Sequence, residues 1–179
     1  MKNKILALGV IAALSMAMVA CGSSSNDTKV IEATTNDAAE ATTAVDSGYV
    51  FSYEGTEIPV DADVAPIIEV LGEPNSYFES PSCAADGIGK LYTYSDFEIQ
   101  TYPDGDVDRV LYVLLRTDNV ATAEGIDLSS SKEDIVSAYG EPSSEATGAM
   151  TYEKNDVSLV FIFDDESLIS IEYDSAMNK

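Results

Sequence analysis

The stretch APIIEVLGEPNS, residues 65–76, recurs as EDIVSAYGEPSS, residues 133–144, with five identities in twelve positions. Around the first copy, Val64, Ile67, Ile68 and Leu71 fall at i, i+3, i+4 and i+7. In the second, Ile135, Val136 and Tyr139 hold three of the equivalent places. That spacing predicts one short helix with a single apolar stripe in each copy. Asp63 and Ser131 are placed to cap the two starts. Ser131 to Asp134 reads as a capping box with Asp in the place of Glu, and Pro66 lies in a first turn, where a missing N–H does no harm. Gly72 and Gly140 suit the left-handed turn that ends a helix, and Pro74 and Pro142 keep it from resuming. Gly-Glu-Pro is therefore read as helix punctuation.

The flanks repeat as well. YEGTEIPVD (53–61) precedes the first helix and AEGIDL (123–128) the second. After the first come KLYTY (90–94), FEIQTY (97–102) and RVLYVLL (109–115); after the second come MTYEK (150–154), VSLVFIF (157–163) and SLISIEY (167–173). Ser95-Asp96, PDGDVD, Asn155-Asp156 and Asp164-Asp165 supply turn chemistry between them. Helices this short do not persist alone and must pack on the strands. The expected fold is α+β: two tandem units, each a short helix followed by a three-stranded antiparallel meander. Unit one spans 49–116 and unit two 117–175, with 49–175 forming one domain.

Ahead of that domain, residues 1–20 join Lys2 and Lys4 to an uncharged apolar run and end in Val19-Ala20, the layout of a secretory signal peptide. MVAC (18–21) is similar to the lipobox of bacterial lipoproteins, with Met18 where Leu is usual. The resemblance implies that Cys21 is diacylated and becomes the first residue of the mature chain, and two acyl chains suffice for stable anchoring. Residues 22–48 are almost wholly small, polar and acidic, which predicts a flexible tether; as a coil it would span on the order of 30 Å. The expected location is the extracytoplasmic face of a bacterial cell membrane, reached through the lipid alone.

The chain carries 32 acidic residues against 9 basic ones, a formal charge of −23 that loss of Lys2 and Lys4 makes more negative. No basic patch is available to displace phosphate counterions, so nucleic acid is not an expected partner. A basic protein partner fits the charge. With Cys21 lipidated, Cys83 is left without an intramolecular disulfide partner.

The absence of His removes the usual general base and every Ser/His or Cys/His nucleophile pair. With so many acids, two lying close together carry little information, and a solvated surface is the expected reading. Asp104, Asp106 and Asp108 alternate as a calcium loop begins, but Arg109 and Leu115 stand where an EF-hand needs Gly and Glu, leaving at most a weak surface calcium candidate. Cys83 lies in ESPSCAADGIGK (79–90), where the first unit is the longer one. A buried small hydrophobe is expected there, with a partner-contact loop as the alternative.

VLYVLL and LVFIF are apolar on both strand faces, whereas SLISIEY alternates, with Ile169, Ile171 and Tyr173 expected on one face. One apolar face serves the helices. The other meets the second unit, lies under the segment around YVFSY (49–53), or is open to a partner; Tyr92, Tyr94, Tyr102 and Tyr112 are the candidate binding residues on it, with Cys83 in the adjoining loop.

The element order, with IIEVLGEP and IVSAYGEP each followed by hairpins, resembles the β-lactamase-inhibitor-protein-like fold and its single-unit relatives, the SmpA/OmlA-type outer-membrane assembly lipoproteins, over about residues 53–173. The resemblance implies protein binding without catalysis. The cysteines that form disulfides in the inhibitor proteins are missing here, so inhibition of a β-lactamase does not carry over. The expected function is that of a lipid-anchored, extracytoplasmic, non-catalytic protein-binding module needing no cofactor, its partner an envelope or secreted protein. The alternatives are an enzyme inhibitor, a carboxylate-based hydrolase with two converging acids, and a purely structural envelope lipoprotein.

Overall fold

The computed structural model describes residues 48–178. The signal segment 1–20, Cys21 and the tether up to residue 47 lie outside the described residues.

Both Gly-Glu-Pro helices form: α1 (Val64–Leu71) and α2 (Lys132–Tyr139). Asp63 caps α1 by accepting from the Ala65 N–H at 2.9 Å. Ser131 and Asp134 close a reciprocal capping box on α2. Val64 and Ile67 of α1 and Ile135 of α2 are buried, and Ile68, Leu71, Val136 and Tyr139 pack partly buried against the same core. The stops differ in one detail from the expected left-handed turn. Gly72 and Gly140 both have φ 80°, but with ψ −167° and −159°, a region only glycine enters readily. Their N–H groups still donate to the carbonyls of Ile68 and Val136, four residues back.

The strands overturn the expected α+β pair of tandem units. A small hairpin, β1 (Phe51–Tyr53) with β2 (Thr56–Ile58), stands apart. The remaining strands are β3 (Ser76–Pro81), β4 (Ile88–Thr93), β5 (Phe97–Asp104), β6 (Val107–Leu115), β7 (Ser144–Ala146), β8 (Ala149–Lys154), β9 (Val157–Asp164) and β10 (Ser167–Ser175). They make a single eight-stranded antiparallel sheet in the order β3-β4-β5-β6-β10-β9-β8-β7, and the protein is mostly β, 47% strand against 15% helix. There are no separate helix-plus-meander units.

The physical reason lies in β6 and β10. β6 is apolar on both faces, and such a strand belongs in the middle of a sheet, with both edges paired and neither exposed as a template. It pairs with β5 on one side and β10 on the other, Leu115 opposing both Phe97 and Ile171, and Val113 both Ile99 and Tyr173. Beyond the β1–β2 hairpin, two strands of the sheet were also not anticipated, because they carry little apolar pattern. Five of the six β3 residues and all three of β7 are exposed, as suits the two edges of the sheet.

One face of the sheet carries the core. Ile99, Val113, Leu159, Phe161, Ile171 and Tyr173 are almost fully buried there beneath α1, α2 and Phe51 of the β1–β2 hairpin. YVFSY thus packs into the core and does not cover the opposite face. Two bulges modify the pattern. One between Gln100 and Thr101 sets Tyr112 opposite Gln100 but Val110 opposite Thr101. The other, between Leu168 and Ser170, turns Ile169 outward, 52% exposed, and puts Leu168 in the core in its place. A two-residue alternation cannot anticipate that extra residue.

Asp61 ties the two ends of the domain together. Its carboxylate accepts from the Tyr102 hydroxyl at 2.9 Å and the Ser175 hydroxyl at 2.6 Å. Its N–H donates to the Val110 carbonyl, and its own carbonyl accepts from the Arg109 guanidinium. Asp61 has φ 63°, a conformation Asp tolerates better than most residues.

Candidate binding surface

Strand register fixes which side chains share the second face. One row runs Thr93, Glu98, Leu114, Glu172, Val160, Thr151 across β4, β5, β6, β10, β9 and β8. The next runs Phe78, Leu91, Gln100, Tyr112, Asp174, Ser158 from the β3 edge inward. Ile162 opposes Ser170 and Ala149 in a third. Leu91, Tyr112, Leu114, Val160 and Ile162 are partly buried, yet none belongs to the main core cluster or packs against it. They form a second apolar layer. Among the described residues, the only element at this face beyond its own strands is a 3-10 turn, Ala176–Asn178, from which Asn178 donates to Asp174 at 2.9 Å.

The charge on this face is acidic and compressed. Glu98 and Glu172 flank Leu114 from the two neighbouring strands, and Tyr112 lies between Gln100 and Asp174. Burial, and then the Asp174 carboxylate on the same strand face, push Glu172 up to about 7. Burial also raises Asp174, opposed by the hydrogen bond from Asn178. Burial raises the Tyr112 hydroxyl too, and Glu98, Glu172 and Asp174 add to the effect. Arg116 pairs with Glu98 at 2.9 Å.

Of the residues singled out from sequence, Tyr112 alone is central to this face. Tyr92 stands opposite Ile99 and lies on the core side, its ring 5.1 Å from that of Tyr77. Tyr94 stacks on Phe97 at 4.9 Å and donates to the Gly72 carbonyl at 3.1 Å. Tyr102 is buried with its hydroxyl on Asp61; burial and that bond push it up to about 12. Cys83 is exposed, not buried, in the loop between β3 and β4. In the hairpin after β5, Asp104 is paired with Arg109 at 2.6 Å and Asp108 with Lys90 at 2.5 Å, leaving Asp106 at the exposed tip. No group of three or more Cys, Asp or Glu among the described residues is arranged to hold a metal ion. Cys21 lies outside them.

Sequence reasoning missed Glu98, Leu114, Val160, Glu172 and Asp174 as neighbours of Tyr112. The usable signal was that β6 and β9 are apolar on both faces; in the sheet they flank β10, which brings Glu172 and Asp174 between their second-face residues. No helix among the described residues is long and apolar enough to cross a membrane. Comparison with family models, curated proteins and solved structures gives no match for this chain.

Proposed function

We propose that this protein is a lipid-anchored, extracytoplasmic binding module that performs no chemistry and takes a basic protein partner on the second face of its sheet. The observation that carries the reading is the second apolar layer: Tyr112 and Leu114 on β6, Val160 and Ile162 on β9 and Leu91 on β4, interleaved with Glu172 and Gln100, lie outside the core with no described helix over them. Partly exposed apolar residues gathered on one sheet face outside the core suit an interaction site. The partner's charge follows from Glu98, Glu172 and Asp174 at its centre and from a net charge of −23. A lysine or arginine brought against Glu172 and Asp174 relieves their mutual repulsion and replaces the water they have lost. The anchor is carried by Cys21 within MVAC, preceded by the Lys2/Lys4 start and its apolar run.

The test is affinity capture from the envelope fraction of the source cells, on immobilised protein, with Tyr112→Ala and Leu114→Ser as paired variants. Loss of the same basic protein with both variants, at unchanged thermal unfolding, supports the reading. Equal capture by wild type and both variants removes it.

A further inference from the structure

The two Gly-Glu-Pro corners are built alike, and their difference assigns a second site. Tyr94 donates its hydroxyl to the Gly72 carbonyl at 3.1 Å, and Tyr152 does the same for Gly140 at 2.9 Å. Two residues before each tyrosine, on the same strand face, stand Tyr92 and Met150. Opposite these on the edge strands stand Tyr77 and Glu145. At the first corner the Tyr77 and Tyr92 rings pack together. At the second the same two positions hold a carboxylate and a thioether, and a cavity of about 440 Å³ opens against α2.

Val136, Pro142 and Met150 give this cavity an apolar wall, while Glu133, Glu141 and Glu145 stand around it. Among the described residues, the one cation lining it, Lys132, has its ammonium 4.8 Å from the centre of the Phe163 ring. The volume falls in the range of pockets that hold small organic ligands. We infer that the cavity binds an aromatic ring bearing a cationic arm. The ring takes the place that the Tyr77–Tyr92 pair occupies at the other corner, and the cation faces the three glutamates. Met150 opposes Phe161 on the core side of the sheet, so the site is separate from the Tyr112 face and does not rest on that reading. The ligand is either a free arylalkylammonium or an aromatic side chain beside a lysine or arginine in a polypeptide.

The experiment follows the Val136 methyl resonances in the full chain carrying Cys21→Ser. Phenethylammonium should shift them saturably. 3-Phenylpropionate, with the same ring and an anionic arm, and propylammonium, with no ring, should each bind at least about tenfold more weakly, about 1.4 kcal/mol. The double variant Glu145→Tyr/Met150→Tyr, which restores the ring pair, should stay folded and lose the response. If it does not fold, Glu145→Gln is used: binding of phenethylammonium should weaken severalfold and that of neutral phenethyl alcohol should not. Lysyl-phenylalanine amide separates the two sources, since tighter binding than phenethylammonium points to a polypeptide and weaker binding to a free amine. Equal binding of the carboxylate, equal binding by the filled variant, or no saturable shift overturns the inference.

Discussion

Replacing Glu172 by Gln tests the electrostatics of the second face through stability alone. Glu172 sits between Leu114 and Val160 on adjacent strands, with Asp174 two residues on along the same face. The groups facing it are Asp174, Glu98 across Leu114, and Arg116, which is already paired with Glu98. Burial first, and Asp174 second, raise its carboxyl from an ordinary 4.5 to about 7. An acid whose folded pKa lies above its unfolded value holds its proton more tightly when folded, so stability falls as pH rises. The penalty is absent below about pH 4.5, grows between 4.5 and 7, and is complete above about 7. A rise of that size corresponds to at most about 3–4 kcal/mol. The side chain still meets solvent, and screening reduces the figure to about 1–2 kcal/mol. Gln keeps the shape and the hydrogen-bonding capacity without the charge. Urea unfolding of wild type and Glu172→Gln should therefore differ by about 1–2 kcal/mol in favour of the variant at pH 8, and by almost nothing at pH 4.5. The same gain at both pH values, or a loss at pH 8, would show that Glu172 is not the strained acid described.

Other substitutions probe the remaining parts. Cys21→Ser should move the protein from the membrane fraction to the soluble one; persistence with membranes in high salt refutes lipid anchoring. Gly140→Ala should cost about 1–3 kcal/mol, because φ 80° with ψ −159° excludes a Cβ on backbone grounds although no neighbour crowds it; a neutral change by thermal unfolding would refute the strain. Ile135→Ala, in the core under α2, should cost about 2–5 kcal/mol, and Tyr102→Phe about 0.5–1.5 kcal/mol through the lost bond to Asp61. Equal costs for the two, read by urea unfolding, would show that the core is not where it is drawn.

Much of the local structure was legible in the sequence. The caps at Asp63 and Ser131, the stops at Gly72 and Gly140, and the stripe through Val64 and Ile67 are set by residues within one or two turns of each other, so short-range rules reach them. The architecture was not legible that way. Joining β6 to β10 brings Leu115 against Ile171, partners far apart along the chain that no local pattern links. The edge strands β3 and β7 have exposed side chains and are strands only because β4 and β8 offer them hydrogen bonds. The candidate surface suffered from the same limit. Tyr92, Tyr94, Tyr102 and Tyr112 look equivalent as residues, yet register sends Tyr92 to the core side and Tyr112 to the second face. The acids beside Tyr112 come from β5 and β10, so only the sheet assembles them.

The proposed binding module has a protein partner on the second face of its sheet in the cell. A photo-crosslinking amino acid placed at Tyr112 or Val160, with the exposed turn residue Asp165 as control, tests it by irradiation of living cells followed by mass spectrometry of the adducts. One shared basic protein should be cross-linked from positions 112 and 160 and not from 165. No adduct from 112 and 160, or the same adducts from all three positions, would contradict it.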